Sequence, residues 1–191
     1  MAAVSPLTLP REVEAVFTLV VGGSASGKSE FAESLILASP HMPRLYIATM
    51  EPFDEECRAR IARHQRMRAE KQFETVECYT SLSSLRLAGG GCVLLECLGN
   101  LAANELYSSA GAGTAEGALD ASLTGIDVLL GQSGDLVVVS NETFTGGDRY
   151  AGETGAYLHL LADANQALAR RADRVCEVIC GLPQFYKRAP V

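Results

Sequence analysis

Five short stretches of the chain are almost continuously apolar: "VFTLVV" (16–21), "RLYIA" (44–48), "CVLLE" (92–96), "DLVVVS" (135–140) and "RVCEVIC" (174–180). A strand with one face in water alternates apolar with polar residues, whereas a strand covered on both faces does not. These runs therefore read as strands of a parallel sheet sandwiched between helices. Between them the spacing shifts to the helical period, over roughly 28–38, 54–71, 99–109, 116–131 and 155–172. Regular alternation of the two patterns predicts βαβ units and an α/β, doubly wound, mostly parallel sheet with helices on both faces. "SSAGAGTAEGA" (108–118) reads as a loop between two helices, too short to mark a domain boundary.

Length and composition narrow this picture. At 191 residues the chain fits one domain with a sizeable core. Residues 1–14, with Pro6 and Pro10 and no cationic start or apolar signal core, read as a loose extension rather than a targeting peptide. Residues 15–191 form the expected single nucleotide-binding catalytic domain. Hydrophobic residues make up 48% and charged residues 20%, an ordinary soluble composition. No apolar run approaches the roughly 20 residues that span a bilayer, and the expected location is cytoplasmic. A net charge of −7 without any Lys/Arg run argues against nucleic acid as a partner. Of the six cysteines, Cys92, Cys97, Cys176 and Cys180 lie in or beside apolar runs and none forms a C-x-x-C pair. Buried reduced thiols are expected, not disulfides or a metal site.

The chemistry begins where the first strand meets the first helix. Gly22, Gly23, Ser24, Ala25, Ser26, Gly27, Lys28 and Ser29 spell "GGSASGKS", a match to G-x-x-x-x-G-K-[ST] in the strand–helix context that the pattern needs. Glycines let successive backbone N–H groups converge on a phosphate, and the helix N-terminus adds partial positive charge. Lys28 reaches the β- and γ-phosphates, and the Ser29 hydroxyl is a candidate Mg²⁺ ligand. A plain Gly/Ser turn would not need that spacing. A GTP-hydrolysing switch would carry N-K-x-D late in the chain, and "SNET" (140–143) lacks both the Lys and the Asp. Glu96 ends a buried strand, where a P-loop protein places its Mg²⁺-associated carboxylate. The alternative is a strand-end Glu that simply faces solvent.

A second stretch, "FDEECRARIARHQRMRAEKQ" (53–72), puts Arg60, His64 and Arg68 on one helical face. Neighbouring arginines favour neutral imidazole, the nucleophilic form, and attract phosphate. From the residues alone, the blander reading of a solvated basic face is the stronger. His41, in a Pro-flanked loop, and His159, inside a helix, have no obvious partner.

"LYIATM" (45–50), "DEECRARIARHQ" (54–65), "TVE" (75–77), "LLECL" (94–98), "VVSNE" (138–142), "NQALARRADRV" (165–175) and "GLP" (181–183) follow the phosphate loop in one order. Together they resemble the adenosylcobinamide kinase/adenosylcobinamide-phosphate guanylyltransferase family of cobalamin biosynthesis, from about Val16 to Lys187. "IAT" followed by "RIARHQ" carries most of that specificity. The resemblance implies a P-loop NTPase-like enzyme that phosphorylates adenosylcobinamide with ATP or GTP. It then transfers GMP from GTP through a covalent histidine, which here would be His64. It implies a nucleotide site of Gly22 to Ser29, Ala48, Thr49, Met50, Gln65, Arg66, Met67, Arg68, Glu77 and Glu96, with Mg²⁺ at Ser29 and Glu96. A propeller-like homotrimer with the active site near a subunit boundary is implied too. Residues 143–163 depart from the family, lacking its usual Pro-Glu pair and arginine-rich helix start, and the run after His64 is longer and more charged.

Overall fold

The computed structural model describes residues 15–52, 55, 58–59, 61–62, 65–66, 71–142 and 152–188. Seven strands form one sheet: β1 (Val16–Gly22), β2 (Arg44–Ala48), β3 (Glu74–Glu77), β4 (Cys92–Glu96), β5 (Asp135–Asn141), β6 (Arg174–Ile179) and β7 (Leu182–Lys187), in the order β3-β2-β4-β5-β1-β6-β7. Every pairing is parallel except β6 with β7. The regular helices are α1 (Lys28–Ala38), α2 (Leu98–Tyr107), α3 (Ala115–Leu130) and α4 (Glu153–Arg171).

The continuous apolar runs have a simple physical meaning, because successive side chains leave opposite faces of a strand. Phe17, Leu19, Leu45, Ile47, Val93, Leu95, Leu136 and Val138 join one core with Leu101, Ile126 and Leu161 of the three later helices. The interleaved Val20, Tyr46, Leu94, Val137 and Val139 join a second core with Ala32 and Ile36 of α1. Two adjacent leucines, Leu94 and Leu95, are both fully buried, each in a different core. A strand with water on one side would not tolerate that pair.

Several expectations change in detail. The stretch 108–118 is not all loop, because α3 starts at Ala115; Thr114 caps it, its Oγ1 accepting from the Gly117 N–H at 3.1 Å. Glu55, Arg58, Ala59, Ile61, Ala62, Gln65 and Arg66 are helical, but the chain has turned by Lys71–Gln72, with Gln72 at φ 58°. The last apolar run stops at Ile179, since Cys180 and Gly181 take φ of 51° and 79° to turn the chain into β7. Cys78, Cys92, Cys97 and Cys176 are buried free thiols, whereas Cys180 is exposed at that turn, against expectation. No helix among the described residues is long and apolar enough to cross a membrane. The N-terminal stretch 1–14, the Arg60–His64–Arg68 face and most of the divergent segment before α4 lie outside the described residues.

Candidate active site

All the strand-end candidates fall at the carboxyl edge of the parallel sheet, where α/β proteins bind ligands. Gly22 closes β1, the loop 23–27 follows, and Lys28 and Ser29 open α1. In register, Ala48 at the end of β2 lies beside Glu77 of β3 on one side and Glu96 of β4 on the other.

The loop's shape depends on the absence of side chains at two points. A Cβ on Gly22 would come within 2.6 Å of Ser26 Oγ and 2.8 Å of the Val178 carbonyl oxygen. Gly27 sits at φ 89° and faces Gly181 Cα, 3.1 Å from where its Cβ would stand. The β6–β7 turn thus braces the loop, and the Gly181 N–H donates to the Ser26 carbonyl at 2.8 Å. Lys28 Nζ donates to the Gly23 carbonyl at 2.9 Å, which draws the ammonium across the loop.

Ser29 donates its hydroxyl hydrogen to Glu96 Oε1, a contact across 67 residues. Glu96 Oε2 is buried and has no hydrogen-bond partner among the described residues. A buried carboxylate oxygen without a donor is costly, and two hard oxygen ligands side by side suit Mg²⁺. The residues present therefore fit the cation. Glu96→Gln keeps the acceptor for Ser29 and removes the charge. It should lower turnover in a manner that excess Mg²⁺ partly restores. Initial rates across a Mg²⁺ series check this; wild-type behaviour at limiting Mg²⁺ would make Glu96 a structural residue.

Beside Glu96, a cleft of about 80 Å³ is lined by Tyr46, Ala48, Met50, Ile61, Gln65 and Asn100. Gln65, Ala48 and Met50 are thus brought to the same carboxylate. Arg66 is exposed on the same helical stretch. Glu77 is exposed at the end of edge strand β3 and accepts from the Tyr79 hydroxyl at 2.8 Å. His64, Met67 and Arg68 lie outside the described residues.

Thr49 does not face the cleft. It is fully buried, its hydroxyl donating to the Cys97 carbonyl at 2.8 Å and accepting from the Cys97 N–H at 2.6 Å. Asn104, which sequence reasoning missed, completes the clamp. Its buried amide donates to the carbonyls of Thr49 at 2.8 Å and Tyr79 at 2.9 Å. Neighbouring Glu105 accepts from the N–H groups of Ser81 and Ala112. Adjacent Asn and Glu residues in a mostly apolar helix were the only signal available.

Burial pushes the Tyr79 phenol up to about 12, with the Glu77 carboxylate adding to it, and burial likewise pushes Tyr157 to about 12. Both favour the neutral phenol in the fold. Their contribution to stability is complete below the unfolded value near pH 10 and is lost as pH rises from there to about 12. Ultraviolet titration of the folded protein should show at least two of the six tyrosines ionising well above pH 10. Uniform ionisation of all six near pH 10 would contradict the Tyr79–Glu77 bond.

A glycine loop between a central strand and a helix, a lysine over it and a Ser–carboxylate pair beneath define a P-loop nucleotide-binding protein. Residues 18–185 match the family model described as cobinamide kinase / cobinamide phosphate guanyltransferase, and the chain belongs to that family. The bifunctional adenosylcobalamin biosynthesis protein CobU of Salmonella typhimurium (strain LT2) is 32% identical over 176 residues, covering 86% of this chain and 96% of that protein. The corresponding protein CobP of Pseudomonas aeruginosa (strain PAO1) is 33% identical over 183 residues, covering 91% and 98%. Among solved structures, the RadB recombinase is similar at a TM-score of 0.45 and 20% identity, over 86% of this chain and 74% of that one.

Proposed function

We propose that the chain carries both reactions of its family: phosphorylation of adenosylcobinamide, then conversion of the product to adenosylcobinamide-GDP. The observation that supports this best is the Ser29–Glu96 pair under the phosphate loop, in a chain matched to the family from residue 18 to 185.

In the first reaction the aminopropanol hydroxyl oxygen attacks the γ-phosphorus of ATP or GTP, and the diphosphate leaves with the bridging electrons. Positioning and charge neutralisation supply most of that catalysis. The loop's N–H groups and Lys28 hold the phosphate chain, and Ser29 and Glu96 would hold Mg²⁺, which would supply charge neutralisation to the transferring group. In the second reaction the neutral imidazole of His64 attacks the α-phosphorus of GTP and pyrophosphate leaves. A phosphate oxygen of adenosylcobinamide phosphate then displaces the histidine from the bound GMP. Ala48, Met50, Gln65, Arg66, Met67, Arg68 and Glu77 complete the nucleotide site in this reading, with Thr49 anchoring the segment from within the core. The protein works in the cytoplasm as a homotrimer, without nucleic acid.

The test is incubation with α-labelled GTP and Mg²⁺, followed by denaturation and mass measurement. A covalent adduct of one GMP, acid-labile and base-stable as a phosphoramidate is, supports the reading. No adduct, with ATP turnover retained, would reduce the protein to a kinase.

A further inference from the structure

The mouth of the phosphate loop opens into a cleft of about 360 Å³, lined by residues 25–30, Glu33 and Lys71. Neither Glu33 nor Lys71 belongs to the loop motif. Glu33 lies one turn beyond Ser29 on the same face of α1, and its side chain is only 10% exposed. Lys71 arrives from 38 residues away and pairs with Glu33 Oε2. The chain just after it is anchored, because Phe73 packs edge-on against Tyr46 with ring centroids 6.1 Å apart.

A carboxylate beside a phosphate site is unfavourable, since like charges repel. Glu33 is nevertheless held almost buried in this cleft. The Lys71 ammonium offsets that charge and has capacity beyond it. An ammonium has three donors, and among the described residues Lys71 makes one bond, to Glu33. Two donors remain on a side chain that lines the phosphate cleft and keeps 31% exposure. Lys28, by contrast, is already turned onto the Gly23 carbonyl.

We infer that Lys71, held in place by Glu33, is a second phosphate-binding cation of this site, acting on the triphosphate opposite Lys28. The inference rests on the nucleotide-site reading above and adds a ligand contact that the loop motif does not contain. It also explains why a lysine stands in the charged run after residue 64, where a solvated basic face would need no buried acidic anchor.

The test is calorimetric binding of Mg²⁺-tripolyphosphate, which probes the phosphate cleft without the nucleoside, to the full chain. Lys71→Ala and Lys71→Gln should each raise Kd about tenfold at low salt, with the deficit shrinking as ionic strength rises. Lys71→Arg should stay within about twofold of wild type. A smaller loss should persist when Lys71→Ala is made on a Glu33→Gln background, where the amide oxygen still accepts from Lys71. Unchanged Kd in folded Lys71→Ala and Lys71→Gln would overturn the inference. So would loss of the effect on the Glu33→Gln background, since Lys71 would then only neutralise Glu33. If Lys28→Ala binds tripolyphosphate as tightly as wild type, the nucleotide-site reading fails, and this inference with it.

Discussion

Lys28→Ala lowers both the kinase and the guanylyl-transfer rates by about 10²-fold or more, corresponding to about 3 kcal/mol of transition-state stabilisation. The lysine follows Gly27 at the start of α1, and its ammonium crosses the loop to the Gly23 carbonyl. It therefore sits where phosphate charge develops. In the proposed scheme both reactions pass a triphosphate through this loop, so both would lose the same cation. The side chain is half-buried at the loop's mouth, and its truncation leaves no closed cavity, so the thermal midpoint should stay near wild type. Parallel assays of ATP-dependent phosphorylation and GMP transfer check the result. Wild-type rates in both would remove the loop from the mechanism.

His64→Ala separates the two chemistries instead of lowering them together. Phosphoryl transfer to a hydroxyl needs no protein nucleophile, because the acceptor oxygen attacks directly. Guanylyl transfer by the covalent route needs one. The variant should retain measurable kinase activity, form no GMP adduct and make no adenosylcobinamide-GDP. In the wild type, adduct formation should fall as pH drops below the imidazole's own value, since only the neutral ring attacks. Quench-flow of labelled GTP followed by mass measurement reads both effects. An adduct that persists in His64→Ala would place the nucleophile elsewhere.

The elements that could be read from the sequence share one property: their signal is local. Central strands are doubly covered, so each announces itself as an unbroken apolar run, as "CVLLE" does with every residue before Glu96 buried. The phosphate loop is likewise eight consecutive residues with a fixed geometry. Edge strands lack this signal. β3 reads "ETVE", with Val76 its one apolar residue and three exposed positions, and β7 carries Pro183 and mostly exposed side chains. Proline and polarity are what an edge tolerates, but in sequence they look like loop.

The site divides along the same line. Glu96 was visible as an acid at a strand end, yet its bond to Ser29 joins residues 67 apart. Asn104 reaches back 55 residues to Thr49, and Lys71 reaches Glu33 across 38. No periodicity encodes such pairs, which exist only once the sheet has set its order. His64 is a different case. Its neighbours in sequence describe a basic helix face, and only resemblance to a family singles it out.

The hydrogen bond from Gly181 to Ser26 has a consequence for biosynthesis. β1 is flanked in the sheet by β5 and β6, both encoded far downstream, and the turn that supports the phosphate loop precedes the final strand. A chain emerging N-terminus first, at about 5–20 residues per second, releases its nucleotide-binding motif early and without neighbours. The brace on the loop arrives only with Val178 and Gly181, more than 150 residues after the motif begins. Nucleotide-binding competence is therefore acquired only after residue 181 has emerged, and nascent chains stalled before it should be unable to retain triphosphate even though the whole motif has left the ribosome.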